Sequence, residues 1–159
     1  MALGVKTIEI DRGWKKAKRQ FKVANGSYTK VGVQQGEIRQ DGTDLVAVAA
    51  ANELGVRKNG KTVIPARSFI RSTRDEEQRK IDQNIEQGIN SMYTGGDTMR
   101  KFLGKLGEWF KGRVQNKIDV LRSPRNAPST IARKKSSNPL VDTGQMKQQI
   151  AHVEKIRGG

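Results

Sequence analysis

The sequence predicts an α+β fold: a small antiparallel or mixed sheet packed by long amphipathic helices, with a basic loop projecting from it. Three observations carry that expectation. Short stretches of alternating apolar and polar residues occur near both ends of the chain, as strands require. An Asn59-Gly60 pair lies between two runs of strand-compatible residues, the strongest short hairpin signal, because both central turn positions need positive φ. Met99, Phe102, Leu103, Leu106, Trp109, Phe110, Val114, Ile118 and Leu121 then follow helical spacing. No internal repeat is visible, and residues 1–159 read as a single domain.

Residues 5–10 alternate as a short strand. Asp11 stands where an N-cap belongs, before a helix with Trp14, Ala17 and Phe21 on one face and Lys and Arg on the other. Trp14 and Phe21 are therefore expected to be buried. Asn25-Gly26-Ser27 ends that helix, and residues 28–34 form the best strand, with Thr29, Val31 and Val33 on one side. Gly36 and Asp41-Gly42 mark a turn. Thr43 or Asp44 caps an alanine-rich helix from Leu45 to Leu54, closed by Gly55; it is apolar on nearly every side and is expected to be buried.

After the hairpin and Pro65, a charged helix covers residues 69–92. Ile81, Ile85, Ile89 and Met92 are its expected apolar face, and the mixed-sign first half is expected to be solvated. Gly95-Gly96 breaks it, and Asp97 or Thr98 starts the next helix. Gly104, Gly107 and Gly112 each cost that helix about 1 kcal/mol relative to alanine, and suit close approach of a neighbour. Residues 122–138 hold two prolines, four serines, five basic residues and no acid, and read as a projecting loop or arm with one helical turn near Ser129-Thr130. Asp142 with Gln145 fits a capping-box variant before a short helix, and residues 151–156 suit a last strand.

Composition narrows the function. Among 159 residues there are 31 Lys+Arg and 16 Asp+Glu, a net charge of +15. Hydrophobic residues at 34% and aromatics at 5% allow only a small core, leaving much of the chain on solvated or partner-covered surface. The absence of cysteine excludes disulfides and zinc–thiolate sites, and the lone His152 excludes a multi-histidine metal site. No run approaches the roughly 18 apolar residues of a membrane span, and the first ten residues lack a signal peptide's pattern. The expectation is a soluble binding or assembly protein with no enzymatic activity, cofactor or metal.

Two motifs mimic enzymes. Gly55-Val56-Arg57-Lys58-Asn59-Gly60-Lys61-Thr62 matches the phosphate-loop pattern, but that loop needs a strand before it and a helix after it. Here a helix precedes and Val63-Ile64-Pro65 follows, so the hairpin reading prevails. Asp142-Thr143-Gly144 resembles the aspartic-protease triplet, yet only fifteen residues follow it, and a helix cap is the better reading. Glu37, Asp41, Glu53 and Asp75-Glu76-Glu77 offer carboxylates without a pair marked for acid–base work.

The basic residues are the candidate interaction sites. Lys15, Lys16, Lys18, Arg19 and Lys22 lie in the first helix, Arg57 and Lys58 in the hairpin, and Arg122, Arg125, Arg133, Lys134 and Lys135 in the acid-free arm. Such clusters attract phosphate without sequence preference. Base stacking would need interleaved aromatics; with Trp14 and Phe21 expected inside, acidic protein partners are favoured over nucleic acid.

Several stretches, in order, resemble the small head–tail neck or tail-completion (virion-morphogenesis) proteins of tailed bacteriophages. They are Val31-Gly32-Val33 leading to Asp41-Gly42-Thr43, then Val46-Ala47-Val48-Ala49-Ala50-Ala51-Asn52-Glu53-Leu54-Gly55, and Ile64-Pro65-Ala66-Arg67-Ser68-Phe69-Ile70-Arg71. Ser129-Thr130-Ile131-Ala132-Arg133-Lys134 and Pro139-Leu140-Val141-Asp142-Thr143-Gly144-Gln145-Met146 complete the set, about half the chain. Ser68 and Ile70 stand where that family more often has Pro and Leu, and the hairpin is longer than in its shortest members. The resemblance implies an α+β fold, a ring of six copies (a hexamer) in the virion neck or tail end, and no catalysis. It further implies host-cytoplasmic assembly, neighbouring neck and tail-tube proteins as partners, and genomic DNA passing through the lumen. A chain of +15 repels its own copies, so a ring would need acidic partner surfaces or counterions and heterologous contacts. A non-specific nucleic-acid-binding module is the alternative.

Overall fold

The computed structural model describes residues 11–34, 42, 44–134, 136–141 and 144–157. In chain order these form α1 (Trp14–Ala24), β1 (Tyr28–Val33), α2 (Leu45–Leu54), β2 (Val56–Lys58), β3 (Lys61–Ile64), α3 (Arg71–Tyr93), α4 (Met99–Val120), α5 (Pro128–Lys134), α6 (Gln145–Gln148) and β4 (Ile150–Lys155). The fold is α+β. Among the described residues its strands make two antiparallel pairs, β1 with β4 and β2 with β3. The expected strand at 5–10, the turn at Gly36 and Asp41, the Thr43 cap and the Asp142–Gln145 capping box all involve residues outside those described.

The β2–β3 hairpin turns on Asn59 and Gly60, with φ of 50° and 76°. This left-handed pair is what a two-residue hairpin demands. The phosphate-loop match is therefore a hairpin turn. α2 begins at Asp44, whose carboxylate accepts from the Val46 amide at 2.8 Å, and ends at Gly55.

α4 is the spine. Thr98 caps it by accepting from the Lys101 amide, and it packs across both β1 and β4. Its two ends serve two hydrophobic clusters. Val114 and Ile118 join Leu45, Ala49, Phe69, Leu140, Met146 and Ile150, whereas Met99, Phe102 and Leu103 join Met92. Between them Gly107 lies against the β1–β4 pair: a Cβ there would stand 2.6 Å from Thr29 Oγ1 and 2.7 Å from the His152 ring. Of the three glycines expected to allow close approach, only Gly107 does so; Gly104 and Gly112 face open space.

α3 turns differently from the sequence expectation. Its buried residues are Thr73, Gly88 and Met92, while Ile85 and Ile89 are exposed. The reason is Gly88, which admits the Phe102 ring so closely that no Cβ would fit. That contact sets the helix rotation against α4 and carries Ile85 and Ile89 outward. The first half is solvated as expected, with Arg74, Asp75, Glu76, Arg79 and Lys80 exposed, yet two of its carboxylates also reach α4. Glu77 accepts from Arg113 Nε at 2.7 Å, and Glu76 pairs with Lys117. The Arg113 bond, opposed by burial, holds the Glu77 carboxyl below its usual range.

Two further expectations are corrected. In α1 only Ala17 is buried; Trp14 is 62% and Phe21 37% exposed, because α1 docks along the flank holding Ala17, Gln20 and Ala24. Gln20 spends its side-chain oxygen on the Met99 amide at the start of α4. In α2, Leu45 and Ala49 are buried but Ala47, Ala50 and Leu54 are exposed, so an apolar helix presents an apolar outer side.

Gly107→Ala is expected to lower stability by about 1–3 kcal/mol through the forced shift of β1 or β4. Gly112→Ala should raise it by up to about 1 kcal/mol through helix propensity alone. Urea unfolding of both variants checks the pair.

Candidate functional site

The site grows from the chain between α2 and α3. Asn52 and Glu53 end α2 beside residues 64–71, the stretch that leaves the hairpin and enters α3. Four donors converge on the Glu53 carboxylate: Ser68 Oγ at 2.6 Å and the amides of Phe69, Ile70 and Arg71 at 2.7, 3.0 and 3.0 Å. The first amides of a helix have no partner within it, and an anion there also meets the positive end of the helix dipole. Glu53 thus caps α3 from another helix. Burial pushes its pKa up, but the bonds from Ser68 and the amides of Ile70, Arg71 and Phe69 outweigh this and hold it below the ordinary 4.5.

Arg67 makes the second tie. Its amide donates to Asn52 O at 2.6 Å, joining the chain after the hairpin to α2. Its side chain is buried with the residue only 5% exposed. Nε donates to Pro124 O at 2.8 Å, Nη2 to Arg125 O at 3.1 Å and Nη1 to Asn52 Oδ1 at 3.4 Å. All three acceptors are neutral. Among the described residues no carboxylate pairs with this guanidinium, which is unusual for a buried charge. Burial lowers its pKa, but an arginine stays protonated at neutral pH.

These bonds fasten the start of segment 122–138, and Asn138 fastens its end. Asn138 Nδ2 donates to Asp119 O at 3.1 Å, at the end of α4, while its Oδ1 accepts from the Leu140 and Val141 amides. The segment read as a projecting loop or arm is anchored at both ends and carries the seven-residue helix α5. Asn138 and Arg67 supply acceptors and donors that composition alone does not reveal.

Between this loop, α2 and β3 lies a cavity of about 310 Å³. Leu45, Val48, Ile64, Leu140 and Met146 give it an apolar floor; Arg67, Arg125, Arg133 and Lys134 give it positive charge. No acidic residue lines it among those described. The guanidinium groups of Arg125 and Arg133 have no partner among the described residues. Asn126 Nδ2, also in the wall, is shielded from solvent and has no acceptor among the described residues.

The structure therefore gathers Arg125, Arg133 and Lys134 at one cavity, but not the other sequence candidates. Arg122 turns back onto the carbonyls of Asp119 and Leu121 at the end of α4. Arg57 donates to Gly60 O within the hairpin, and Lys58 is exposed beside the turn. Lys135 lies outside the described residues. Sequence reasoning missed Arg67 and Asn126; the available signal was a lone arginine set between apolar Ile64-Pro65-Ala66 and Phe69-Ile70.

A second surface lies on α1, where exposed Trp14 and Phe21 alternate with exposed Lys15, Lys18 and Lys22. His152 lies against α4, with Nδ1 facing Glu108 at 3.2 Å, Nε2 facing Glu154 at 3.7 Å and the ring packed on Gly107. Among the described residues no cluster of His, Asp and Glu could hold a metal ion, and no helix is long and apolar enough to cross a membrane. No family model matches the chain, and comparison with curated proteins and with solved structures gives no significant match.

Glu53→Gln places an amide N–H₂ against donors and is expected to cost about 1.5–3 kcal/mol. Because the folded-state pKa is depressed, the Glu53 contribution is complete above about pH 4.5 and is lost as pH falls through the lower folded value. The stability gap between wild type and variant, read by urea unfolding, should be constant at neutral pH and close in acid.

Proposed function

We propose that this protein is a structural component of a bacteriophage neck, assembling into a ring that completes or terminates the tail and joins it to the head connector. The order of motifs resembling that class motivates the reading, and one structural observation supports it most. Ile85, Ile89 and Tyr93 are exposed at successive four-residue steps along α3, a helix of 23 residues or about 34 Å. A chain lean in hydrophobic residues here sets three of them on one outer helix face, the kind of surface that partners cover. The exposed side of α2 and Val63 of the hairpin add apolar surface elsewhere, as heterologous contacts between different patches would require. Six copies is the expected stoichiometry.

A second reading has its own observation. The exposure of Trp14 and Phe21 among the α1 lysines supplies the interleaved aromatics that single-stranded nucleic-acid binding uses. This favours contact with nucleic acid as a second role, in a neck whose lumen passes DNA or in a free binding module.

Mass measurement at physiological salt, alone and with neighbouring neck proteins, is expected to find a closed ring, and Ile85→Glu with Ile89→Glu a folded monomer. A wild-type chain that stays monomeric and joins no particle would overturn the neck reading. Steeply salt-dependent binding of single-stranded DNA, weakened by Trp14→Ala in that monomer, would establish the second reading instead.

A further inference from the structure

We infer that the cavity walled by α2, β3 and the 122–138 loop binds an acidic, apolar segment of a partner protein, an Asp or Glu carboxylate flanked by aliphatic side chains. The inference stands on the cavity and does not depend on ring formation.

The charge argument comes first. Arg67 carries a buried positive charge whose three hydrogen-bond acceptors among the described residues are all neutral. A guanidinium has five N–H bonds, so two remain for another acceptor. Arg125 and Arg133 bring two further guanidinium groups to the same walls, and Asn126 brings an amide N–H₂ that is shielded yet unsatisfied. A buried donor without an acceptor is costly, and a carboxylate answers all of these groups at once, most strongly by bidentate pairing with arginine.

The apolar floor defines the remainder of the occupant. Leu45, Val48, Ile64, Leu140 and Met146 would leave a bare phosphate or sulfate half-surrounded by hydrocarbon, whereas Leu, Ile or Met beside an acid fills the space. Val63 extends the apolar surface beyond the cavity because it lines the wall and is still 60% exposed. Contact continuing past the mouth suits a chain segment rather than a small organic acid. The charge of +15 on the chain favours an acidic partner over a second copy. Nucleic acid fits poorly, since the walls named here contain no aromatic for a base to stack on.

The test pans a library of random dodecapeptides against the full-length protein and measures affinities of the enriched peptides by fluorescence anisotropy. Enriched sequences should carry Asp or Glu next to Leu, Ile or Met. Arg125→Glu with Arg133→Glu, both on exposed side chains, should weaken them by about tenfold or more with an unchanged circular dichroism spectrum. Val63→Glu, on the exposed edge of the hairpin, should weaken them independently. No enrichment, enrichment of acid-free peptides, affinity undiminished by either variant, or displacement of the peptides by duplex DNA would each overturn the inference.

Discussion

A buried arginine with no carboxylate partner among the described residues organises one half of this molecule. Arg67, on the hairpin exit, ties two other parts of the chain together: Asn52 at the end of α2 and the Pro124–Arg125 backbone beyond α4. Glu53 stands next to Asn52 and takes the opposite role, an anion collecting the free amides at the start of α3. The two charges do not pair with each other. Each satisfies backbone groups that would otherwise be stranded, and together they fix where α3 starts and where the basic loop lies. Burying Arg67 is unfavourable in isolation. The arrangement holds because removing it would leave two backbone carbonyls unmatched as well.

α4 supplies the complementary constraint. Its two ends feed two small clusters, and its middle, at Gly107, presses on the β1–β4 pair. With so few hydrophobic residues, close backbone approach replaces bulk: glycine at 107 and at 88 lets strand and ring sit where a larger residue would hold them off. The consequence is functional. Side chains that a larger core would have absorbed, Ile85, Ile89, Tyr93, Leu54, Trp14 and Phe21, are left on helix exteriors. These exteriors are where the proposed contacts with partners would form.

Local signals in the sequence were legible where local chemistry decides. The Asn59-Gly60 turn, a cap at Thr43 or Asp44, a start at Asp97 or Thr98 and the α2 boundaries all follow from positive φ, hydrogen-bonding side chains and a closing glycine; the structure shows the turn and boundaries and caps the helices with Asp44 and Thr98. What failed were faces. Ile81, Ile85, Ile89 and Met92 look like one apolar stripe, but Gly88 and the Phe102 ring rotate α3 so that two of the four point away from the core. Trp14 and Phe21 look buried because they share a helix face with Ala17, opposite the lysines; α1 docks instead along the flank of Ala17, Gln20 and Ala24. The candidate site was half legible: Arg125, Arg133 and Lys134 stood out by charge, and they do meet at one cavity. Arg67 did not, because one arginine in an apolar run announces nothing until Asn52, Pro124 and Arg125, distant in sequence, are brought to it.

The central claim is that Arg67 holds the basic loop onto α2 and so builds the cavity. Residue-resolved hydrogen exchange of Arg67→Met against wild type tests it most directly. The account predicts that residues 124–134 and the amides of residues 67–71 lose protection together in the variant, while β1, β4 and the middle of α4 keep theirs. Unchanged protection across residues 124–134 would contradict it, showing the loop to be held by something other than Arg67.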